Sequence, residues 1–175
     1  PATDGASLYQ LMRDEGVTMA LGVPTVWMLL QQHVEEAGLQ PRKDLVLNRV
    51  VIGGAAAPRA VVECFERLFD SRVMHAWGMT EMSPIGTVCH PLPKHAKACL
   101  EERLDLQCKQ GRAPFGVLMK ITDEEGNSLP RDGKAFGHLL VKGPWIANSY
   151  FRGEGGPLLD SDGWLDTGDI ATSDP

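Results

Sequence analysis

The sequence predicts an α/β fold in which a parallel sheet covered by helices is followed by a small antiparallel β subdomain. Helical and strand patterns alternate, with short connections, over residues 1–91, and this alternation is typical of parallel sheets. Residues 111–175 instead carry short strand patterns separated by turns. The stretch 92–110 mixes Lys, Glu, His and Cys with weak periodicity, and we expect it to connect the two subdomains.

Hydrophobic spacing and glycine or proline signals define the elements of the first subdomain. Apolar residues at helical spacing predict helices over 7–15, 24–37 and 58–69. Gly16 and Gly38 stand where the first two helices should end, and Pro58 suits the first turn of the third. Short apolar runs predict strands over 17–21, 49–52 and 72–76.

Alternating apolar residues and turn signals define the second subdomain. They predict strands over 115–122, 137–142 and 164–170, the last one broken by Gly168. We expect the connection 92–110 to be mobile, with about one helical turn.

Composition limits the classes of function. Hydrophobic residues make up 43% of the chain and charged residues 23%, as in globular proteins, and the net charge is −6. A nucleic-acid partner would need a basic face, so this charge argues against one. No apolar run is long enough for a transmembrane segment and no signal peptide opens the chain, so we expect a cytoplasmic protein. Because the chain opens on Pro1 and stops after Pro175 without completing an element, we expect a piece of a longer protein.

The four cysteines favour reduced thiols. Cys64 falls on the apolar face of a predicted helix and should be a small buried side chain. Cys89, Cys99 and Cys108 share one stretch with His90 and His95, which makes a zinc site the alternative. Their spacing matches no standard zinc module.

Gly53-Gly54-Ala55 follows a predicted strand and precedes a helix, at the carboxyl end of the predicted sheet. Ligands bind at this place in open α/β folds, and residues without side chains let a flat ring approach the main chain. The alternative is a tight strand-to-helix turn that binds nothing.

The run His75 to Glu81 combines an aromatic ring, a glycine, a hydroxyl and a carboxylate. Trp77 can stack on a base, Thr80 can bond a phosphate oxygen, and Glu81 can hold a hard cation such as Mg²⁺. The alternative is a buried Trp followed by a helix that Thr80 caps.

The run Gly163 to Asp169 places two carboxylates, Asp166 and Asp169, between glycines. A carboxylate can accept hydrogen bonds from both hydroxyls of a ribose, as in dinucleotide sites. The alternative is a solvated turn rich in Asp and Gly.

Together these runs resemble four successive core motifs of the adenylate-forming (AMP-binding) superfamily, in order and at about the right spacing. The motifs are 53–58, 77–81, 137–144 and 163–169, and the resemblance covers essentially the whole chain. Trp77 and the tract 143–151 are similar to the branch of fatty-acyl-CoA ligases, including enzymes for medium-chain or thioether-bearing acids. His138 departs from the pattern, since the family usually has Glu at this structural position.

The resemblance implies roles for the matching residues. The nucleotide site would comprise Gly53, Gly54, Ala55, Trp77, Gly78, Met79, Thr80, Glu81 and Asp169. In it, Trp77 would stack on adenine and Asp169 would take the ribose hydroxyls. Thr80 would contact the α-phosphate and Glu81 would hold Mg²⁺, so these two are the expected catalytic residues. Val23 and Trp27, with the Pro24 and Thr25 between them, fall where the family builds part of its acyl-substrate wall.

The resemblance also implies the reaction: ATP activates a medium- or long-chain fatty acid, or a related carboxylic acid, as an acyl-adenylate, and coenzyme A then takes the acyl group. Two alternatives stay open, namely another acceptor (a carrier protein, or a luciferase-like reaction) and a remnant that binds nucleotide without turnover. The family also needs a phosphate loop with a Lys, a hinge and a lid domain with a second Lys, none of which the sequence contains. We therefore expect this chain alone to be inactive, as one part of a parent protein for which a homodimer is one open state.

Overall fold

The computed structural model of the chain describes residues 3–95 and 97–175. The described residues fall into two compact units, one within Pro1–Gly78 and Thr87–Arg112 and the other within Met79–Gly86 and Ala113–Pro175. The division into 1–91, 92–110 and 111–175 that composition suggests remains a prediction. None of the helices in the described ranges has the length and apolar content needed to cross a membrane.

The first unit contains a parallel sheet with helices, as predicted. The strands β1 (Met19–Gly22), β2 (Arg49–Ile52) and β3 (Arg72–Gly78) run parallel in this order. The strand β4 (Ile85–Val88) follows β3 in the sheet order, and only its last two residues fall within the first unit. The helices are α1 (Gly5–Asp14), α2 (Pro24–Glu36), α3 (Pro41–Asp44), α4 (Arg59–Cys64) and α5 (Leu100–Gln107). The strand β4 was not predicted, because the short run Ile-Gly-Thr-Val has a glycine inside it and no clear alternation.

The core of this unit is built where α2 and α4 pack on each other. The ring of Trp27 meets that of Phe65 edge to face, with centroids 5.5 Å apart and an interplanar angle of 89°. Phe65 opens a π-helical turn (Phe65–Phe69) that continues α4, so the helix expected over 58–69 exists with a wider last turn. Asp70 ends it in the left-handed region, with φ 56°. The buried apolar residues of both helices and of β2, together with Val73 of β3, form one core.

The helix α5 corrects the expectation of a mobile stretch with about one helical turn at 92–110. It spans eight residues, and Leu104 and Gln107 are buried. A capping box starts it: the Cys99 N–H donates to Glu102 Oε2 at 2.8 Å, while the Cys99 side chain accepts the Glu102 N–H. Gln107 ties the helix to the sheet, since its Oε1 accepts the N–H of Val73 at 3.3 Å.

The second unit contains a small antiparallel sheet, again as predicted. Its strands are β5 (Leu118–Thr122), β6 (Phe136–Lys142) and β7 (Leu165–Thr172), with β6 in the middle. β5 starts later than expected because Phe115 is fully exposed and Gly116 has a φ of +94°. β7 is not broken at Gly168 but bulged there. It has three residues between Asp166 and Ile170, where β6 has only Leu139.

Candidate nucleotide site

The loop after β2 needs both of its glycines for backbone reasons. A Cβ on Gly53 would lie 3.2 Å from the carbonyl oxygen of Ala76 on β3, and Gly54 has a φ of +81°. A Cβ on Gly54 would also lie 3.2 Å from Val23 Cγ1, so the loop runs beside the first residue of the predicted acyl-substrate wall. Gly54 and Ala55 are exposed. The loop is therefore a tight turn that also offers bare backbone to a flat ligand.

The buried side chain of His75 anchors this loop through a hydrogen bond. Its side chain is 1% exposed, and its Nε2 accepts the N–H of Ala57 at 3.2 Å. That bond leaves the proton on Nδ1, which lies 3.2 Å from the carbonyl oxygen of Cys108 and donates to it. One buried imidazole thus joins the glycine loop, β3 and the end of α5. Sequence reasoning gave His75 no role of its own, because its partners are 18 and 33 residues away.

The two predicted tryptophans have different settings. Trp77 is half-buried at the end of β3, directly before Gly78, the last residue of the strand. Trp27 is 2% exposed, and its Nε1 donates to the carbonyl oxygen of Gly22 at 3.1 Å. Trp27 therefore packs in the core of the first unit, while Val23, four residues before it, is 45% exposed. The substrate-wall role of Val23 and Trp27 stays a prediction.

Residues 79–86, which directly follow Gly78, belong to the second unit. Met79 is extended, with φ −145°, and Thr80–Met82 form a single 3-10 turn. The N-cap residue of this turn is Met79, whose side chain makes no capping hydrogen bond. The structure therefore differs from the alternative in which Thr80 caps a helix. The Thr80 side chain is exposed. Its hydroxyl is therefore presented to solvent at the position where we expect a phosphate.

Glu81 is held by two contacts within the second unit. Its Oε1 accepts the hydroxyl proton of Tyr150 at 2.6 Å, and its carbonyl oxygen accepts the N–H of Ala147 at 2.8 Å. The Tyr150 hydroxyl, followed by the N–H of Glu81 itself, lowers the pKa of the Glu81 carboxyl. The same bond, with burial, raises the pKa of Tyr150. Glu81 is thus a carboxylate at neutral pH, as a ligand of a hard cation must be.

Asp169 lies on the bulge of β7. The hydroxyl of Thr167 donates to the carbonyl oxygen of Leu139 at 2.8 Å and accepts the N–H of Asp169 at 3.2 Å. Asp166 Oδ1 accepts the N–H of Gly168, whose φ is +74°. Bulges turn a side chain away from the regular alternation of a strand and are frequent beside active sites. Here the bulge places the Asp169 side chain on the surface.

Besides His75, sequence reasoning missed the roles of Tyr150 and Thr167. Both lie inside motif tracts already singled out, but neither tract showed that its hydroxyl bonds Glu81 or shapes the backbone at Asp169. Tyr150 and Glu81 are 69 residues apart, so no local pattern joins them.

The cysteines are all free, and the prediction that Cys64 is buried is confirmed. Cys89 is also buried, whereas Cys99 is exposed. Burial raises the pKa of Cys64 to about 12 and raises that of Cys89 as well. Within residues 3–95 and 97–175, no three His, Cys, Asp or Glu side chains gather as a metal site would require.

Comparison with known proteins gives consistent matches. A model of the AMP-binding enzyme family matches residues 1–151. The 3-methylmercaptopropionyl-CoA ligase of Ruegeria lacuscaerulensis is 46% identical over 100% of this chain and 32% of its own. The medium-chain-fatty-acid–CoA ligase of Ectopseudomonas oleovorans is 47% identical over 99% of this chain and 31% of its own.

The fold has solved counterparts too. A benzoate CoA ligase from Burkholderia xenovorans matches with a TM-score of 0.79 over 98% of this chain and 32% of that protein, at 24% identity. At this identity the similarity concerns the fold alone. The chain spans about a third of the length of the curated relatives it matches.

Proposed function

Because the chain belongs to the AMP-binding enzyme family, we propose that it is the central segment of an ATP-dependent acyl-CoA ligase. The observation that carries this proposal is the match of nearly the whole chain, at 46% and 47% identity, to two CoA ligases. The geometry agrees with it. An ionised Glu81 and an exposed Thr80 hydroxyl follow the half-buried Trp77 within five residues of sequence.

The nucleotide would be bound by four groups. The Trp77 ring stacks on adenine, and the backbone of Gly53 to Ala55 accommodates its edge. The Asp169 carboxylate accepts hydrogen bonds from the ribose hydroxyls, presented by the bulge that Thr167 holds. The Thr80 hydroxyl donates to an oxygen of the α-phosphate. These groups bind and orient ATP, and none of them forms a covalent bond to it.

In the first half-reaction, an oxygen of the substrate carboxylate attacks the α-phosphorus of ATP. A new P–O bond forms, the bond from the α-phosphorus to the bridging oxygen breaks, and pyrophosphate leaves. The transfer requires positioning of the reactants and neutralisation of phosphate charge more than a protein nucleophile. Thr80 and Glu81 fit this need, since one is a hydrogen-bond donor and the other an ionised carboxylate.

In the second half-reaction, the thiol of coenzyme A attacks the carbonyl carbon of the acyl-adenylate. A thioester bond forms, the C–O bond to AMP breaks, and the thiol proton is released. The acceptor is proposed from the relatives, both of which are CoA ligases by name.

Mg²⁺ is the metal that this chemistry implies, and the residues fit it. Glu81 offers a carboxylate with a lowered pKa, one oxygen of which is engaged by Tyr150. We propose that Glu81 ligates the cation. Mg²⁺ bound at such a site supplies positive charge that offsets the charge of the phosphates.

For the acid, we propose an aliphatic carboxylate of medium length or a thioether analogue. Two relatives of nearly equal identity act, by their names, on a 3-methylmercaptopropionyl and on a medium-chain fatty acyl group. Val23 would contact this acid at the rim, since it is 45% exposed beside Gly54.

The test uses a full-length protein that carries this segment, incubated with ATP, Mg²⁺ and coenzyme A. The acids are 3-methylmercaptopropionate, octanoate, palmitate and benzoate, and mass spectrometry identifies the products. We expect acyl-CoA, AMP and pyrophosphate in equal amounts, with octanoate or 3-methylmercaptopropionate turned over fastest. Glu81→Gln should abolish most turnover, whereas Glu125→Gln, an equal change on an exposed turn, should not.

Three outcomes would contradict the proposal in different ways. Release of ADP and phosphate would overturn adenylation itself. AMP formation that continues without any dependence on coenzyme A would favour another acceptor, such as a carrier protein. Nucleotide binding without turnover would leave a binding remnant.

A further inference from the structure

The turn that carries Glu81 is fastened along its length by one segment of the same unit. This segment, residues 145–150, makes four hydrogen bonds to residues 81–85, and we call it the bracing segment. Its bonds besides Tyr150–Glu81 are Ala147 N–H to the Glu81 carbonyl at 2.8 Å, Ser83 Oγ to the Trp145 carbonyl at 3.1 Å, and Trp145 Nε1 to the Ile85 carbonyl at 3.3 Å.

The bond from Tyr150 differs from the other three because it reaches a side chain. Each of the other three bonds ends on a backbone carbonyl oxygen, so together they set the path of the main chain in the turn. The Tyr150 hydroxyl bonds the Glu81 carboxylate itself, at 2.6 Å from Oε1. The turn can keep its path without this bond, but the carboxylate cannot keep its orientation.

A fixed carboxylate matters for a metal ligand. A Glu side chain on a solvent-facing turn samples several rotamers, and a cation must select one of them at a cost in entropy. A hydrogen bond from a neighbour to one carboxylate oxygen removes this freedom and leaves the other oxygen for the cation. Partners of this kind commonly contribute 10- to 100-fold to metal affinity.

We propose that Tyr150 is the positioning residue for a divalent cation at Glu81, holding Oε1 so that Oε2 is the atom that ligates. This inference rests on the proposed role of Glu81 in the ligase. It assigns no catalytic role to Tyr150, which acts only through the carboxylate. It also makes the metal contact of Glu81 monodentate.

The chain contains its own matched control. Its only other tyrosine, Tyr9, also donates its hydroxyl to a carboxylate, to Asp44 Oδ2 at 2.7 Å. Tyr9 lies in the other unit, on α1, away from every residue of the proposed nucleotide site in sequence. Tyr9→Phe and Tyr150→Phe thus delete the same chemical group and the same kind of bond.

The experiment measures binding of Mn²⁺, as a paramagnetic substitute for Mg²⁺, to the full-length protein with saturating ATP. Electron paramagnetic resonance of free Mn²⁺ gives the affinity without reference to turnover. We expect Tyr150→Phe to weaken Mn²⁺ binding about tenfold. Tyr9→Phe should leave it unchanged, and Glu81→Gln should weaken it at least as much as Tyr150→Phe. In the Glu81→Gln background, adding Tyr150→Phe should have no further effect.

The outcomes separate this inference from the function it rests on. If Glu81→Gln weakens Mn²⁺ binding but Tyr150→Phe leaves it unchanged or tightens it, the positioning role is overturned and the proposed ligand stands. If Glu81→Gln has no effect, Glu81 is not the ligand and both proposals fall. A loss of thermal stability in Tyr150→Phe with unchanged Mn²⁺ affinity would assign Tyr150 a structural role only, which also overturns the inference.

Discussion

At the scale of single residues, Asp169 shows how the backbone decides what a side chain can do. In a regular strand the Asp169 side chain would lie on the face opposite to the side chains of its two neighbours. The bulge at Thr167 to Asp169 interrupts this alternation. The Thr167 hydroxyl holds the bulge by bonding both to β6 and to the N–H of Asp169. The position of the carboxylate therefore follows from three consecutive residues.

We predict that Asp169→Asn raises the KM for ATP by about 10- to 100-fold and changes kcat much less. The lost interaction is a hydrogen bond from ribose to a charged group, which contributes about 1.5–3 kcal/mol, and it exists in both the ground state and the transition state. Steady-state kinetics on the full-length protein measure both constants. Asp162→Asn removes an exposed carboxylate of the same unit and serves as the control. An equal KM for the two variants would exclude the ribose contact.

The cysteines allow a second prediction at this scale. Thiolates react with iodoacetamide and thiols do not, and burial raises the pKa of Cys64 to about 12 and that of Cys89 in the same direction. At pH 8 we expect Cys99, the exposed cysteine, to be alkylated first, and Cys64 and Cys89 only after unfolding. Peptide mapping by mass spectrometry after brief labelling identifies the site. Equal labelling of Cys64 and Cys99 in the native chain would show that Cys64 is not buried.

At the scale of elements, α5 is the most informative. Its residues are polar enough to suggest a loose connection, yet Leu104 is fully buried and Gln107 bonds β3. Arg103 and Gln107 also donate to the Glu66 carboxylate at 3.1 Å and 2.6 Å, joining α5 to the π-helical turn. A helix with little hydrophobic content is thus attached by one buried leucine and a few side-chain hydrogen bonds.

We expect Leu104→Ala to lower the free energy of unfolding by about 2–5 kcal/mol, as deletion of a fully buried leucine usually does. Leu11→Ala makes the same change on α1, where the side chain is 52% exposed, and should cost no more than about 0.5 kcal/mol. Urea denaturation followed by circular dichroism compares the two. If both variants lose equally little, α5 is not part of the core.

The elements found from sequence are those whose signal is local. β2 has the predicted bounds, and the strands and helices around it follow from apolar spacing. α5 was missed because its capping box uses Cys99 in place of Ser or Thr, and because the burial of Leu104 comes from contacts made in three dimensions. The bulge was taken for a break, since Gly168 in a strand predicts either.

The residues of the candidate site also divide into those with a local sequence signal and those that depend on contacts made in three dimensions. Trp77, Thr80, Glu81 and Asp169 could be proposed from sequence because each lies in a short run with a recognisable motif. His75 and Tyr150, which hold the glycine loop and the Glu81 carboxylate, act on partners at least 18 residues away. Such supporting residues become visible only when the fold brings distant segments together.

At the scale of the whole molecule, the chain spans about a third of the length of its curated relatives. Groups that neutralise the phosphates of ATP must be supplied in addition to Thr80 and Glu81, and the sequence contains no glycine-rich loop with a lysine to cradle them. We therefore expect the activity proposed above only of a longer protein that contains this segment.

We predict that the 175-residue chain alone does not catalyse exchange of pyrophosphate into ATP with octanoate or 3-methylmercaptopropionate, whereas the full-length protein does. Radiolabelled pyrophosphate incorporated into ATP is the measured quantity. Circular dichroism on the same preparation establishes that the chain is folded. Exchange by the isolated chain at a rate near that of the full-length protein would show that these residues suffice.

The two units are interleaved along the sequence, because residues 79–86 lie between the two stretches of the first unit but belong with 113–175. This arrangement restricts how relatives can exchange parts by recombination. A chimera that takes residues 79–86 from one parent and 145–150 from another breaks up pairs such as Glu81 with Tyr150 and Ser83 with Trp145. Crossovers after residue 150 keep these pairs together, and a single crossover anywhere from 87 to 144 separates them. The motif at 77–81 is thus best inherited together with residues 145–150, more than sixty residues further along the chain.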